Sequence, residues 1–303
     1  VNAADTMKGP MKDPKKDAEF FQRTGVETCH TVSALREFKP DAFIVANPTA
    51  CHPRYALMAA DMRCHVFMEK PLSDRLAGIE RLKAAFARRN LVFCLGNNLR
   101  FHPAICAIKR YIDGARFGTI YFARIMVGQY LPDWHPYEDY RAGYSARKNL
   151  GGGAVLTLQH EIDYAYWLFG RFKSLKSYCK KASSLDIDVE DLVSILLETE
   201  SGVMVEAHVD YLQRPARRTV HIQGSRGSVD YCFGDRKLRF YNFKKQKYRD
   251  MLDLAGYDPN QTYIDELRDF ISAIAGKGKT RSGLEDGIYI LKTCLTIKRG
   301  FRL

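Results

Sequence analysis

The chain has 303 residues, 46% of them hydrophobic and 12% aromatic, and Lys and Arg exceed Asp and Glu by 12 charges. That length can bury two sizeable cores, and the composition excludes a disordered, collagen-like or low-complexity chain. No apolar run approaches the roughly 20 residues of a membrane span, so the positive charge points to nucleic acid, a membrane surface or an acidic small molecule.

Lys8, Lys12, Lys15 and Lys16 are followed by no apolar block, so no secretory leader is expected. Eight scattered cysteines form no Cys-x-x-Cys pair. They read as reduced thiols of a cytoplasmic protein, with neither a disulfide framework nor a metal site expected.

Asp17 to Arg23 reads as a helical piece stopping at Gly25, and Val26 to His30 as extended. Ser33 to Phe38 reads as a short helix capped by Ser33. Ala42 to Ala46 is an uninterrupted apolar run, as in a strand buried on both faces of a parallel sheet. A helix over His52 to Met62, a strand over His65 to Met68, a long helix over Ser73 to Arg89 and a strand over Leu91 to Leu95 follow. This alternation predicts a Rossmann-type, doubly wound α/β unit. Ligands of such units lie at the carboxyl ends of the strands. Those ends are Asn47-Pro48, Glu69-Lys70-Pro71 and Gly96-Asn97-Asn98.

Pro103 to Tyr111 is predicted as a helix, Thr119 to Tyr130 as a long strand, and Ala154 to Phe169 as one helix ended by Gly170. From Leu175 to Phe243 the chain alternates, with turns at Glu200-Ser201-Gly202 and Gly224 to Gly227, as in an antiparallel sheet. Helices over Thr262 to Ala275 and Leu284 to Lys298 close the chain. The expected division is a nucleotide-binding domain over 1–101 and, over 102–303, an α+β domain on a large, open, mostly antiparallel sheet.

Two segments carry the chemistry. One is Glu69-Lys70-Pro71 directly after a buried strand. The other is Gly151-Gly152-Gly153, leading to His160-Glu161-Ile162-Asp163. With Ile44 to His52, Gly96 to Pro103 and Tyr263 to Phe270, they resemble the glucose-fructose oxidoreductase / inositol dehydrogenase (Gfo/Idh/MocA) family. The resemblance runs from about residue 18 to the end. It implies an oxidoreductase using NAD or NADP on a secondary alcohol of a sugar, polyol or sugar nucleotide. Lys70 and His160 would be the catalytic pair, with Asp163 on the substrate side. Asn47, Pro48, His52, Glu69, Lys70 and Asn98 would lie toward the cofactor.

The chemistry of the residues agrees. Alcohol oxidation needs a hydride acceptor, a base for the hydroxyl proton and a cation near the developing alkoxide. Lys70 supplies the cation. A histidine, with an ordinary pKa of about 6.5, exchanges protons near neutrality. Asp163, three residues on, shares a helix face with His160. Arg100, Tyr144 and Lys148 are further substrate-side candidates. The aromatic and basic stretch from Tyr130 to Lys148 reads either as a substrate lid or as a packed surface loop. Gly151 to Gly153 reads as a close-packing turn, and the basic runs 214–218 and 236–249 as solvated strand edges and turns.

Two features depart from the family pattern. An Asp commonly precedes the His by one turn, where this chain has Leu156 and Thr157. The first 100 residues hold only Gly9, Gly25, Gly78 and Gly96, so no Gly-x-Gly-x-x-Gly turn is present to cradle a pyrophosphate. The first strand–turn–helix therefore reads as absent, with poor dinucleotide affinity expected of the chain as given. Asp13 is the nearest candidate for reading a ribose. These departures favour the alternative of a non-catalytic ligand sensor or scaffold on the same fold. No nucleic-acid or membrane partner is expected, whereas a homo-oligomer, dimer or tetramer, paired through the open sheet is.

Overall fold

A computed structural model of the protein describes Gly25, Cys29 and residues 31–301. The helix expected over Asp17 to Arg23, the extended piece at 26–30 apart from Cys29, and Asp13 lie outside the described residues. Three parallel strands form the first sheet: β1 (Ala42–Val45), β2 (His65–Glu69) and β3 (Phe93–Gly96), in that spatial order. The register pairs Val45 with Met68 and Glu69 with Gly96, so the three carboxyl ends are level. Helix α1 (Val32–Glu37) precedes this sheet, and α2 (His52–Asp61) and α3 (Ile79–Arg89) connect its strands. The cap of α1 is Thr31, whose hydroxyl accepts the Ala34 amide at 3.1 Å, rather than Ser33.

The long helix expected from Ser73 starts only at Ile79. Ser73 Oγ accepts the Arg75 amide, Gly78 takes a left-handed φ of 83°, and Leu76 is exposed. A hydroxyl that captures a nearby amide competes with the helical pattern.

After α4 (Pro103–Asp113) comes β4 (Ile120–Gly128), which threads the second sheet. The remaining strands are β5 (Phe172–Lys180), β6 (Leu192–Thr199), β7 (Met204–Asp210), β8 (Arg217–Gly224), β9 (Gly227–Cys232), β10 (Lys237–Asn242) and β11 (Lys247–Asp253). Their order is β11-β10-β9-β8-β4-β7-β6-β5; only β4 and β7 run parallel. The expected mostly antiparallel sheet is present, and β10 lies within the basic run 236–249, in which β11 begins. Along β6 the inward Val193, Ile195 and Leu197 alternate with Ser194, Leu196 and Glu198 on the open face.

One face of this sheet packs on α5 (Ala154–Thr157), α6 (His160–Phe169) and the last helix, α8 (Leu284–Lys298). The C-terminal helices also return to the first sheet. Phe270 of α7 (Gln261–Ile274) meets Phe67 edge-on at 5.9 Å, and Ser282 accepts the Leu95 amide at 2.8 Å. One continuous apolar core thus joins both sheets across the division placed at residue 101. Among the described residues no helix is long and apolar enough to cross a membrane, and no group of His, Cys, Asp or Glu could hold a metal.

Candidate active site

The carboxyl ends of β1 and β2 are tied together by His52. Its ring nitrogens lie 2.7 Å from the Pro71 and Asn47 carbonyl oxygens, and the side chain is buried. Burial holds its pKa below the ordinary value, so the neutral ring donates to one carbonyl at a time. His52 is thus a staple between strand ends, and its expected cofactor contact gives way to that role. Asn47 Oδ1 is buried without a partner among the described residues. Glu69 packs its carboxylate over Gly96, where a Cβ would stand 3.4 Å away. Asn98 donates to Thr262 Oγ1 at 3.1 Å and so fixes the third strand end to α7.

Lys70 reaches from this first sheet to the helix layer. Its Nζ donates to the Thr157 carbonyl at 2.7 Å. That carbonyl is free because the single helix expected over 154–169 is broken at Leu158 and Gln159. An unbroken helix would give it the Glu161 amide. His160 opens α6 directly after the break. Its Nδ1 is sealed from solvent and has no hydrogen-bond partner among the described residues. Burial, then the charges of Lys70 and Arg218, hold the His160 pKa well below the ordinary value, so the imidazole is neutral at pH 7.

Lys70, Thr157 and His160 line one cleft of about 470 Å³, walled by Gln129, Trp134, Tyr144, Arg217, Arg218 and Phe233. The Tyr130 to Lys148 stretch therefore supplies a wall of the cleft through Trp134, His135 and Tyr144. Trp134 is pinned by donating to the Gln129 carbonyl at 3.2 Å. Arg218 Nε donates to the buried Glu161 carboxylate at 2.7 Å, placing a half-buried ion pair beside His160.

Other expected residues lie elsewhere. Both carboxylate oxygens of Asp163 are taken: Arg100 donates to them at 2.7 and 2.9 Å, and Asn97 adds a third bond at 2.9 Å. Arg100 is 1% exposed and also bonds Asp286 and the Arg281 carbonyl, each at 2.7 Å. The substrate contacts expected of Asp163 and Arg100 are thereby replaced by an internal brace, and Asp163 does not orient His160. Lys148 lines a separate depression with Asp74, Arg75 and Lys298, outside the cleft. The glycine turn packs closely, as expected. A Cβ on Gly153, at φ 108°, would overlap the Glu190 carboxylate, which Lys298 pairs at 3.2 Å.

Sequence reasoning missed Arg217, Arg218, Glu161 and Gln129. The 214–218 run is not simply a solvated edge: Arg217 and Arg218 enter the cleft. Arg214 clamps Asp133 through two 2.8 Å bonds and stacks 3.7 Å from the Tyr130 ring centre. The adjacency of Glu161 to His160 was the one available signal for the Arg218 pair.

The strand ends suit the nicotinamide half of a dinucleotide. Asn47, Glu69, Lys70 and Asn98 project from three level strand ends, and the orphaned Asn47 Oδ1 offers a buried acceptor. Residues 1–24, where a phosphate-cradling turn would be sought, lie outside the described residues.

Comparisons with known proteins agree with this fold. The chain is 25% identical to levoglucosan dehydrogenase of Pseudarthrobacter phenanthrenivorans, over 92% of this chain and 83% of that protein. It is equally identical to myo-inositol 2-dehydrogenase of Thermotoga maritima, over 94% and 87%. Its fold matches the WlbA dehydrogenase from Bordetella pertussis, solved with NADH and UDP-GlcNAcA, at a TM-score of 0.80 and 21% identity over 95% of this chain and 85% of that one. Levoglucosan dehydrogenase in complex with NADH and levoglucosan gives 0.82 and 22% with the same coverage. The family model described as "Oxidoreductase family, NAD-binding Rossmann fold" matches residues 11–97, and that of the "GFO/IDH/MocA C-terminal domain" matches residues 105–230. The chain therefore belongs to the Gfo/Idh/MocA family of NAD-binding oxidoreductases.

Proposed function

We propose that the protein moves a hydride between the nicotinamide of NAD or NADP and a hydroxyl-bearing carbon of a sugar, polyol or sugar nucleotide, with Lys70 and His160 as the catalytic pair. The observation that carries this is their convergence on one cleft at the carboxyl ends of the parallel strands. The relatives named for levoglucosan and myo-inositol oxidation support the substrate class.

The bound nicotinamide supplies a hydride acceptor in one direction and a donor in the other. Lys70 keeps one N–H on the Thr157 carbonyl, which aims the remaining two at a substrate oxygen. These stabilise the negative charge that builds on that oxygen as its proton leaves. The neutral His160 imidazole accepts that proton and returns it in the reverse reaction. Asn47, Pro48, Glu69 and Asn98 would meet the cofactor, and Tyr144 the substrate. Arg100 and Asp163 act behind the site by bracing α6 against the segment that follows β3. Lys148 stands at the neighbouring depression.

The open sheet face exposes Tyr178, Leu196 and Met204, which supports self-association through it as a dimer or tetramer. All eight cysteines are unpaired, which supports a reducing compartment such as the cytoplasm.

The test follows reduced-cofactor absorbance with NAD+ and NADP+ across a panel of sugars, polyols and sugar nucleotides. Turnover is expected, falling about 100-fold or more in Lys70→Ala and His160→Ala. Ligand binding without hydride transfer would contradict the proposal.

A further inference from the structure

We propose that the substrate of this cleft carries an anionic group, a carboxylate or a phosphate, and that Arg217 binds it. The inference rests on the oxidoreductase reading above and narrows its substrate class.

Its basis is the charge of the cleft wall. Lys70, Arg217 and Arg218 line the cleft, and no Asp or Glu among the described residues does. Carboxylates near these cations are already engaged: Asp210, against Gly128, accepts the Leu212 and Gln213 amides and lies 3.2 Å from His208 Nε2. Glu161 is buried and takes Arg218 Nε at 2.7 Å. Asp133 is held at the rim by both arms of Arg214. Lys70 and Arg217 remain without a carboxylate partner among the described residues.

Arg217 is exposed and makes no side-chain hydrogen bond or ion pair among the described residues. It stands at the start of β8, opposite Gly128 of β4, whose missing side chain leaves space taken by Asp210 and Gln213. A guanidinium placed this way offers a planar fork to a carboxylate or phosphate. Trp134, Tyr144 and Phe233 supply apolar surface for a sugar ring beside it. An anion here would also offset the charges of Lys70 and Arg218, which after burial itself depress the proton affinity of His160, so binding would strengthen the base. A neutral polyol would leave Lys70 and Arg217 without an anionic partner.

The experiment compares neutral hexoses with their uronates, 1-phosphates and nucleoside-diphosphate derivatives, matched in hydroxyl configuration, for turnover with NAD+ and NADP+. The expected result is a kcat/KM for at least one anionic form about tenfold or more above its neutral counterpart, the scale of one charge-assisted hydrogen bond. That preference falls with added salt. Arg217→Met should collapse it chiefly through KM, and Arg217→Lys should keep part of it. The uronate and phosphate arms tell carboxylate from phosphate recognition.

Equal or better turnover of the neutral sugar, with the ratio unchanged in Arg217→Met, overturns the proposal and leaves the oxidoreductase reading intact. Absence of hydride transfer from every sugar defeats that reading instead. Binding titrations read by Trp134 fluorescence then decide the proposal. Anionic forms binding about tenfold tighter than neutral ones, with the difference lost in Arg217→Met, uphold it. Equal affinity, or none, overturns it.

Discussion

Lys70 lies on the first sheet and His160 on a helix of the second layer, 90 positions apart in the chain. Their meeting depends on one carbonyl, that of Thr157, left open by the helix break. Lys70→Arg keeps the charge but exchanges a compact ammonium for a planar fork. It should lower kcat while leaving thermal stability near that of the native protein, as measured by steady-state rates and thermal melting. Arg100 belongs to a different class. It is fully buried between Asp163 and Asp286, whose charges outweigh the cost of burial and raise its pKa. Arg100→Ala leaves Asp163 buried without its cation, which should cost about 3–5 kcal/mol of stability. Denaturant unfolding measures this, and the loss should appear in Asp163→Ala as well. The Glu-Lys-Pro tripeptide and the Gly-rich approach to His160 were legible because each is a local string of residues. The Arg100–Asp163 brace was not, since its partners are far apart in sequence and only the tertiary fold apposes them. Asp163 shares a helix with His160, and that proximity alone suggested a substrate-side role.

Strand and helix order was legible through hydrophobic periodicity, and α8 was read with its observed ends. The interruptions were harder to read. Apolar spacing runs unbroken from Ala154 to Phe169, and the break at Leu158 depends on no residue that disfavours a helix. Arg217 and Arg218 were misread because a basic strand start looks like a solvated edge until β4 and the loop after it close over it. Helix α7 carries a second unexpected group. Glu266 is 1% exposed and has an oxygen unpartnered among the described residues, and burial together with Glu69 pushes its pKa up to about 8. Its ordinary value is 4.5. The folded state therefore holds this proton more tightly than the unfolded chain does. The resulting stabilisation is fully present below about pH 4.5 and is lost as pH rises through about 8. Melting temperatures of the native protein should fall over that window, and those of Glu266→Gln should fall less. Identical pH profiles would contradict this assignment.

At the level of the whole molecule, the charge excess of 12 raised the prospect of nucleic acid. In the fold, part of that charge gathers in the cleft at Lys70, Arg217 and Arg218, and Lys237, Arg239, Lys247 and Arg249 stand on β10 and β11. The open face of the eight-stranded sheet forms a shallow depression with Arg124, Met126, Tyr178, Leu196 and His208 in its lining. Leu196→Asp sets a charge in the middle of that face. It should shift the molecular mass in light scattering toward the monomer while leaving the far-ultraviolet dichroism unchanged. The division at residue 101 followed the change from parallel to antiparallel texture. The C-terminal helices pack on both sheets, a long-range return that local patterns do not encode.

The most direct test of the central claim follows a sugar substrate deuterated at its reacting carbon, incubated with the protein and oxidised cofactor, by magnetic resonance of the reduced cofactor. Deuterium should appear at the nicotinamide C4, with a slower rate for the labelled sugar, and Lys70→Ala and His160→Ala should each suppress the transfer. A cofactor that stays unlabelled, or transfer that persists undiminished in both variants, would contradict it.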